Sequence, residues 1–306
     1  MSDQTNSVGQ IIERAHQLNI AIPAFNIPYL PMMDPVVRAV SDLDSFALIA
    51  VARLEWLKFE ALSPQAVAQQ FETYRANPHV RLHLDHVPVI DEDNLRVDFA
   101  PIFAQAVQAG YESLMIDGSR LTLEENIQAV GPMVAYGHAH GRPVEAELGA
   151  VFGHESGPAP SYEELFSTGK GFTNVDEARR FVAETQCDWL SVAIGNVHGA
   201  IAAGVKDRQK VEARLNLERL EQLHQAVGLP LVLHGGSGIK ADNLRAARKY
   251  GIAKINIGTE IRQAYEVAIK ESRSIEQAQH AVYERTRWVI DQFLQVDNIY
   301  SQVVVA

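Results

Sequence analysis

Short apolar runs alternate with segments of helical period eight times along this chain, and that alternation restricts the fold more than any other feature. The strand-like runs are Ile20–Phe25, Phe46–Ala52, Val80–Asp85, Ser113–Ile116, Pro143–Leu148, Trp189–Ile194, Pro230–His234 and Ala253–Ile257. The helical segments between and after them are Pro31–Ser41, Pro64–Arg75, Phe99–Ala109, Leu123–His138, Val175–Thr185, Leu215–Val227, Ala241–Tyr250 and Thr259–Lys270. Strands separated by helices read as βαβ units with a parallel sheet. Eight such units close naturally into an α/β fold of the (β/α)8 TIM-barrel type, with an open doubly wound sheet as the structural alternative. The strand runs are apolar throughout rather than alternating, as burial on both faces demands. Ser7–Leu18 reads as an extra N-terminal helix over the barrel bottom. Ile275–Leu294 reads as an extra C-terminal helix, on the barrel wall or in a subunit interface. With no repeat, low-complexity tract or linker in its 306 residues, a single barrel domain over 1–306 is expected.

The net charge of −11 argues against nucleic acid and against an anionic membrane surface, since both need a basic face. It leaves room for a phosphorylated small molecule held by backbone N–H groups. Cys187 is the single cysteine, so no intrachain disulfide can form, and the chain suits a reducing cytoplasm. Its setting in QCDWLSVAI favours a buried structural thiol. The first residues, MSDQTNSVGQ, lack a basic region followed by an apolar core, so no signal peptide is expected. The longest apolar run, Phe46–Ala52, is far short of the ~20 residues of a membrane span.

Three histidines stand at strand ends: His86 in HLDH (His83–His86), His198 in VAIGNVHG (Val192–Gly199) and His234 in LVLHGGSG (Leu231–Gly238). In a parallel barrel those ends converge on one mouth. Three imidazoles there leave a coordination position open for substrate, which catalytic zinc needs. Asp85 precedes His86 and could orient substrate or move a proton. His83 lies deeper in the strand, where a core or supporting role is expected. Glu145 and Glu147 in VEAELG share a strand face. Inside a barrel they need a cation or a salt-bridge partner. The glycine-rich turn His234–Gly238 and the stretch Asn256-Ile257-Gly258-Thr259 each lead into a helix, after strands seven and eight. Barrels commonly bind phosphate there. His138 and His140 fall at the bottom face, as a solvent-exposed helix end. Lys254 raises Schiff-base chemistry, but it sits deeper than Asn256 on the same strand face. The loops Ala150–Gly171 and Gly199–Glu212, the latter with Lys206, Arg208 and Lys210, should lie over the mouth. The acidic insertion Pro88–Asp98 reads as a solvated loop or an active-site rim.

Taken in order, IPAFNI, HLDH, SLMIDGSRLTLEENI, VEAELG, DEARRFVAETQCDWLSVAIGNVHG, LVLHGGSGI and AKINIGTEIRQAY resemble the class II, zinc-dependent fructose-bisphosphate and tagatose-bisphosphate aldolase family. The resemblance implies a (β/α)8 barrel and a metal-dependent aldolase that cleaves a phosphorylated ketose to dihydroxyacetone phosphate and an aldehyde through a zinc-stabilised enediolate. It implies one catalytic Zn2+ per subunit on His86, His198 and His234, with Glu147 at or beside it and room for a second divalent or monovalent cation. Asp85 would polarise or protonate the aldehyde oxygen, and Glu155 would move the dihydroxyacetone phosphate proton. Asn26, Gly199, Gly235, Gly236, Ser237, Asn256, Gly258 and Thr259 would hold the phosphate or the enediolate. A homodimer or homotetramer is implied as well.

The chain departs from the family pattern on one side of the site. Phe152-Gly153-His154 replaces a Gly-Gly pair before the loop acid, and Ile201-Ala202 follows His-Gly where Tyr-Lys is usual. Ala52 replaces a substrate-contacting serine, followed by Arg53, Leu54, Glu55 and Trp56, and Pro88–Asp98 is inserted. These changes point to a substrate other than fructose 1,6-bisphosphate, with Arg53 expected to meet an anionic group on the aldehyde fragment. The competing functions are a zinc-dependent barrel hydrolase, against which the lack of an HxH motif on strand one argues, and a non-catalytic sugar-phosphate-binding homologue.

Overall fold

The computed structural model describes residues 6–149, 151, 162–196 and 213–305. Eight parallel strands in it close into a barrel in chain order. They are β1 (Ile22–Asn26), β2 (Ala47–Ala52), β3 (Val80–Pro88), β4 (Ser113–Asp117), β5 (Val144–Leu148), β6 (Trp189–Val192), β7 (Leu231–Leu233) and β8 (Ile252–Ile257). The ring shuts where β8 pairs with β1, Ile22 against Lys254 through Phe25 against Ile257. Every residue of β1, β2, β5, β6, β7 and β8 is buried. One face fills the barrel and the other packs under the helices, which is why the strands read as unbroken apolar runs.

The helices are α1 (Val8–Gln17), α2 (Met33–Asp42), α3 (Arg53–Lys58), α4 (Pro64–Phe71), α5 (Phe99–Gln108), α6 (Leu123–Ala139), α7 (Tyr162–Thr168), α8 (Val175–Thr185), α9 (Leu217–Val227), α10 (Ala241–Ala247), α11 (Thr259–Ser272), α12 (Ile275–Trp288) and α13 (Tyr300–Val303). Several have local start and stop signals. Ser7 and Gln10 form a reciprocal cap at α1, and Thr122 and Glu125 do the same at α6. Asn174 caps α8, and Gly228, at φ +65°, ends α9.

Helix α1 covers the barrel bottom. Its Gly9 meets Pro143, which precedes β5, and its His16 packs edge-on against His224 of α9. Helix α12 packs on the wall against α2 and α11. Gln279 Nε2 donates to the Pro31 carbonyl at 2.9 Å, and Tyr283 Oη to Asp42 at 2.7 Å. A π-helical turn, Val289–Leu294, completes that segment. No helix among the described residues is long and apolar enough to cross a membrane. Cys187 is buried, and burial pushes its thiol up to about 12, so it is an inert packing residue.

The Pro88–Asp98 segment is solvated only in part: residues 93–96 are exposed, but the rest is structured. β3 runs on through Pro88, and the chain then folds back with Ile90 against Arg96. Asp91 is only 5% exposed and accepts the backbone N–H groups of Asp93 (3.1 Å) and Leu95 (2.8 Å). Helix α3 was not expected either, because Ala52 offers no capping side chain. Only the reverse half of a cap is present, Glu55 accepting from the Ala52 N–H at 2.8 Å.

Candidate active site

A bulge in β3 builds the centre of the site. Leu84 pairs with Leu114 of β4, but the next pair is Val87 with Ile116, so β3 carries one extra residue. That extra residue includes His86 in its turn, at φ +33°, with its N–H directed to Met115 Sδ at 3.4 Å. A β-strand sends successive side chains to opposite faces. The bulge breaks that rule, and Asp85 and His86 both reach the mouth. Holding a non-glycine residue at positive φ costs of order 1–3 kcal/mol.

Asp85, His86 and His234 bring ligand atoms within 4.8 Å of one another, and so do His86, Asp117 and Glu147. The rings of His86 and His234 are 4.3 Å apart. Each imidazole has a carboxylate against one ring nitrogen. His234 Nε2 lies 2.8 Å from Glu145 Oε1, and His86 Nδ1 lies 3.3 Å from Asp117 Oδ2. Such partners fix ring orientation and tautomer in metal sites. Asp85 Oδ1 is buried without a hydrogen bond among the described residues, with Lys254 Nζ 4.0 Å away, so it can still take a closer cation. The nitrogen and carboxylate donors, their spacing and this oxygen together fit a divalent metal ion.

Burial opposes ionisation of Asp117, but His86 and Ser119 hold its pKa at about 2. Burial likewise opposes ionisation of Glu145, and Lys254 and His234 bring it to about 2. Burial and the charge of Asp117 push Glu147 well above the usual carboxylate range. Burial disfavours the charged form of His86, yet Asp85 and Asp117 raise it to about 10. Burial and the neighbouring His86 lower His234 to about 4.

Asp85 is held from three sides. Its Oδ2 accepts from Asn26 Nδ2 of β1 at 2.8 Å and from Asn256 Nδ2 of β8 at 2.9 Å. Both asparagines, expected at the phosphate or the enediolate, here direct their amides to Asp85. His83 Nε2 lies 3.7 Å from Oδ1, and its Nδ1 sits 2.9 Å from Ser113 Oγ, the supporting role expected of it. Burial would raise the Asp85 carboxyl, but His86, His83 and Lys254 hold it well below its ordinary value.

Lys254 is fully buried. Its Nζ donates to Glu145 Oε2 and to Asn256 Oδ1, each at 2.7 Å. This is an ion pair inside the barrel, with the amine committed to two partners. Replacing Lys254 by Met is expected to cost about 3–5 kcal/mol, because Glu145 would remain as a buried charge. Calorimetry should show a melting temperature lower by on the order of 10 °C. An unchanged melting temperature would mean that the pair adds nothing to stability.

Directly after His234, Gly235 takes φ +69°, a conformation that favours glycine. A Cβ on Gly236 would lie 2.6 Å from Ile255 Cγ2, so only glycine fits this turn. Gly258 ends against Asn26, and α11 starts at Thr259 with its axis opening on the mouth side of β8. The Glu260 N–H reaches Ser237 Oγ at 3.4 Å. Gly235, Gly236, Ser237, Gly258 and Thr259 are thus brought together around one helix N-terminus.

Arg53, expected to await an anion on the substrate, already has one. Its Nη1 lies 3.2 Å from Asp91 Oδ2 of the insertion. His198, Gly199 and Glu155 lie outside the described residues, as do Phe152-Gly153-His154 and Ile201-Ala202. Three contributors escaped the sequence reading. Asp117 ends β4 in the stretch IDGS, where a carboxylate before glycine at a strand end was the available signal. Asn196 is buried, accepts from the Ile194 N–H at 2.9 Å and donates to the His234 carbonyl at 3.1 Å, tying the ends of β6 and β7. Glu55 gave no signal, because its helix was not foreseen. His138, by contrast, is an exposed partner of Asp188 at 2.8 Å on the bottom face, as expected.

Residues 6–303 match the family described as fructose-bisphosphate aldolase class-II. The chain belongs to the class II aldolase family. It is similar to the YdjI aldolase from Escherichia coli K12, at 30% identity and TM-score 0.74, over 95% of this chain and 97% of that one. It is similar to a candidate fructose-1,6-biphosphate aldolase from Coccidioides immitis, at 26% identity and TM-score 0.74, over 95% and 97% of the two chains. The fructose-bisphosphate aldolase of Campylobacter jejuni shares the fold, at 19% identity and TM-score 0.70, over 95% of each chain. The chain is therefore an aldolase, a carbon–carbon lyase, on a TIM barrel. Class II aldolases are typically metal-dependent, and the donor cluster at the mouth agrees with that.

Proposed function

We propose that this aldolase reversibly cleaves a phosphorylated ketose other than fructose 1,6-bisphosphate to dihydroxyacetone phosphate and an aldehyde, using one catalytic zinc ion. The observation that carries the reading is the convergence of Asp85, His86 and His234 within 4.8 Å, beside a glycine-rich turn and a helix N-terminus. His86, His198 and His234 would hold the ion with Glu147 beside it, and His86, Asp117 and Glu147 offer a place for a second cation. Bound there, zinc would act as a Lewis acid toward the ketone oxygen and the enediolate.

The chain's own groups divide the remaining work. Gly235, Gly236, Ser237, Gly258 and Thr259, with Gly199 from outside the described residues, would offer backbone N–H groups and hydroxyls to the phosphate. Asn26 and Asn256 fix Asp85 Oδ2 and so orient Oδ1. Asp85, ionised at neutral pH, takes the proton from the hydroxyl beside the breaking carbon–carbon bond. In condensation it returns that proton to the aldehyde oxygen. Glu155 moves the proton at C3 of dihydroxyacetone phosphate. A single domain over 1–306, a homodimer or homotetramer and a cytoplasmic location belong to the same reading.

The test is exchange of the C3 proton of dihydroxyacetone phosphate in deuterated water, followed by NMR with and without a chelator. Exchange that a chelator stops and Glu155→Gln abolishes is the expected result. No exchange in zinc-loaded protein would count against dihydroxyacetone phosphate as the donor.

A further inference from the structure

At the rim between β2 and β3 the cations nearest the insertion are engaged by it. Helix α3 brings two cations there, and the 88–98 segment neutralises both. Arg53 is paired with Asp91, which is itself fixed by two backbone N–H groups. Lys58 Nζ lies 2.9 Å from Glu92 and 3.1 Å from Asp93. Arg120, from the end of β4, spends a guanidinium N–H on the Asp91 carbonyl at 2.9 Å.

Carboxylates stand in the same place. Ala52 pairs with Asp85 across β2 and β3, and Glu55 folds back onto the Ala52 N–H. Glu55 is 9% exposed, and Asn26, Asp85 and His86 are among the groups that act on it. Glu55, three residues after β2, therefore sets an acid beside the residue that handles the aldehyde oxygen. A sugar hydroxyl can donate to a carboxylate, or accept from a carboxyl group. A phosphate dianion brought to the same point meets repulsion from Asp85, and both cations of α3 are already paired with carboxylates.

Building on the aldolase reading above, we propose that the aldehyde fragment is an uncharged, hydroxylated aldehyde whose hydroxyls are read by Glu55, and that Asp91 is a positioning residue that withholds Arg53 from the substrate. This reverses the expectation that Arg53 meets an anion. It also gives the insertion a purpose: it excludes a second phosphate without altering the metal-binding and enediolate half of the site.

The experiment compares glyceraldehyde, as both enantiomers, with glyceraldehyde 3-phosphate as acceptors for dihydroxyacetone phosphate in the zinc-loaded, unmodified protein. The expected result is a kcat/KM at least about tenfold higher for a glyceraldehyde enantiomer, a difference a few well-placed polar contacts supply. Asp91→Asn should shift that ratio about tenfold toward the phosphorylated aldehyde by releasing Arg53, and adding Arg53→Met should cancel the shift. Glu55→Gln should raise KM for glyceraldehyde more than KM for dihydroxyacetone phosphate, and it tests the subsite independently should Asp91→Asn fail to fold. A preference of the unmodified protein for glyceraldehyde 3-phosphate, or an unmoved ratio in folded Asp91→Asn, would overturn the inference. C3 proton exchange, measured on the same sample, separates the two readings. Its absence removes the aldolase mechanism itself, while its presence with the wrong acceptor preference removes only the uncharged aldehyde.

Discussion

Replacing His86 by alanine is expected to lower kcat/KM for aldol turnover by on the order of 10³ or more and to remove stoichiometric divalent-metal binding. A Lewis-acid metal supplies several kcal/mol of transition-state stabilisation, and each 1.4 kcal/mol or so is tenfold in rate. His86 belongs to both ligand groups at the mouth, so its loss opens both at once. Burial opposes its protonation, but the charges of Asp85 and Asp117 raise its pKa to about 10. Metal binding must displace that proton, and it should therefore weaken as the pH falls. Asp117→Asn makes a graded comparison. It keeps the ligand ring but alters its carboxylate partner, and about 10–100-fold in metal affinity is the expected cost. Metal content by mass spectrometry and affinity by calorimetry measure both effects. Full metal occupancy in folded His86→Ala would remove His86 from the ligand set.

Glu55→Gln is expected to stabilise the protein, and to do so more strongly at alkaline pH. Burial raises the Glu55 carboxyl from 4.5 to about 8, although the Ala52 N–H pulls it the other way. In the unfolded chain the group ionises near its ordinary value, while the folded protein keeps the proton. The unfolded state therefore binds fewer protons across this window. Stability is fully retained below about 4.5 and is lost as the pH rises, until the folded group ionises near 8. The slope is roughly 1.4 kcal/mol per pH unit. Glutamine has no such proton to lose, and its amide oxygen can still accept from the Ala52 N–H. The melting-temperature difference between variant and unmodified protein should widen steadily from pH 5 to pH 8. A constant difference across that range would show that Glu55 ionises normally in the folded protein. The gain in stability would come with poorer aldehyde binding, the usual exchange at a functional position.

The legibility of the sequence differed sharply between frame and site. Val175–Thr185 has the same bounds in the sequence pattern and in the structure, and the eight strands fall within a few residues of their expected positions. Periodicity and capping are local, so a single stretch of chain reveals them. The strand-end histidines were legible for the same reason, and His86 and His234 do meet at the mouth. HLDH, however, read as a regular strand places Asp85 and His86 on opposite faces. Only the pairing of β3 with β4 reveals the extra residue that turns both inward. The acidic run in Pro88–Asp98 looked solvated because its cationic partners, Arg53 and Lys58, lie more than thirty residues earlier.

Short-range pattern and residue chemistry encode the barrel, the family and the kinds of donor at its mouth. The tertiary structure decided which oxygen of Asp85 is held by Asn26 and Asn256, which acid Lys254 neutralises, and that Arg53 is paired with Asp91. These are contacts between residues far apart in the chain. Their partners are chosen by burial and charge balance after the ring has closed, and no local pattern encodes that choice.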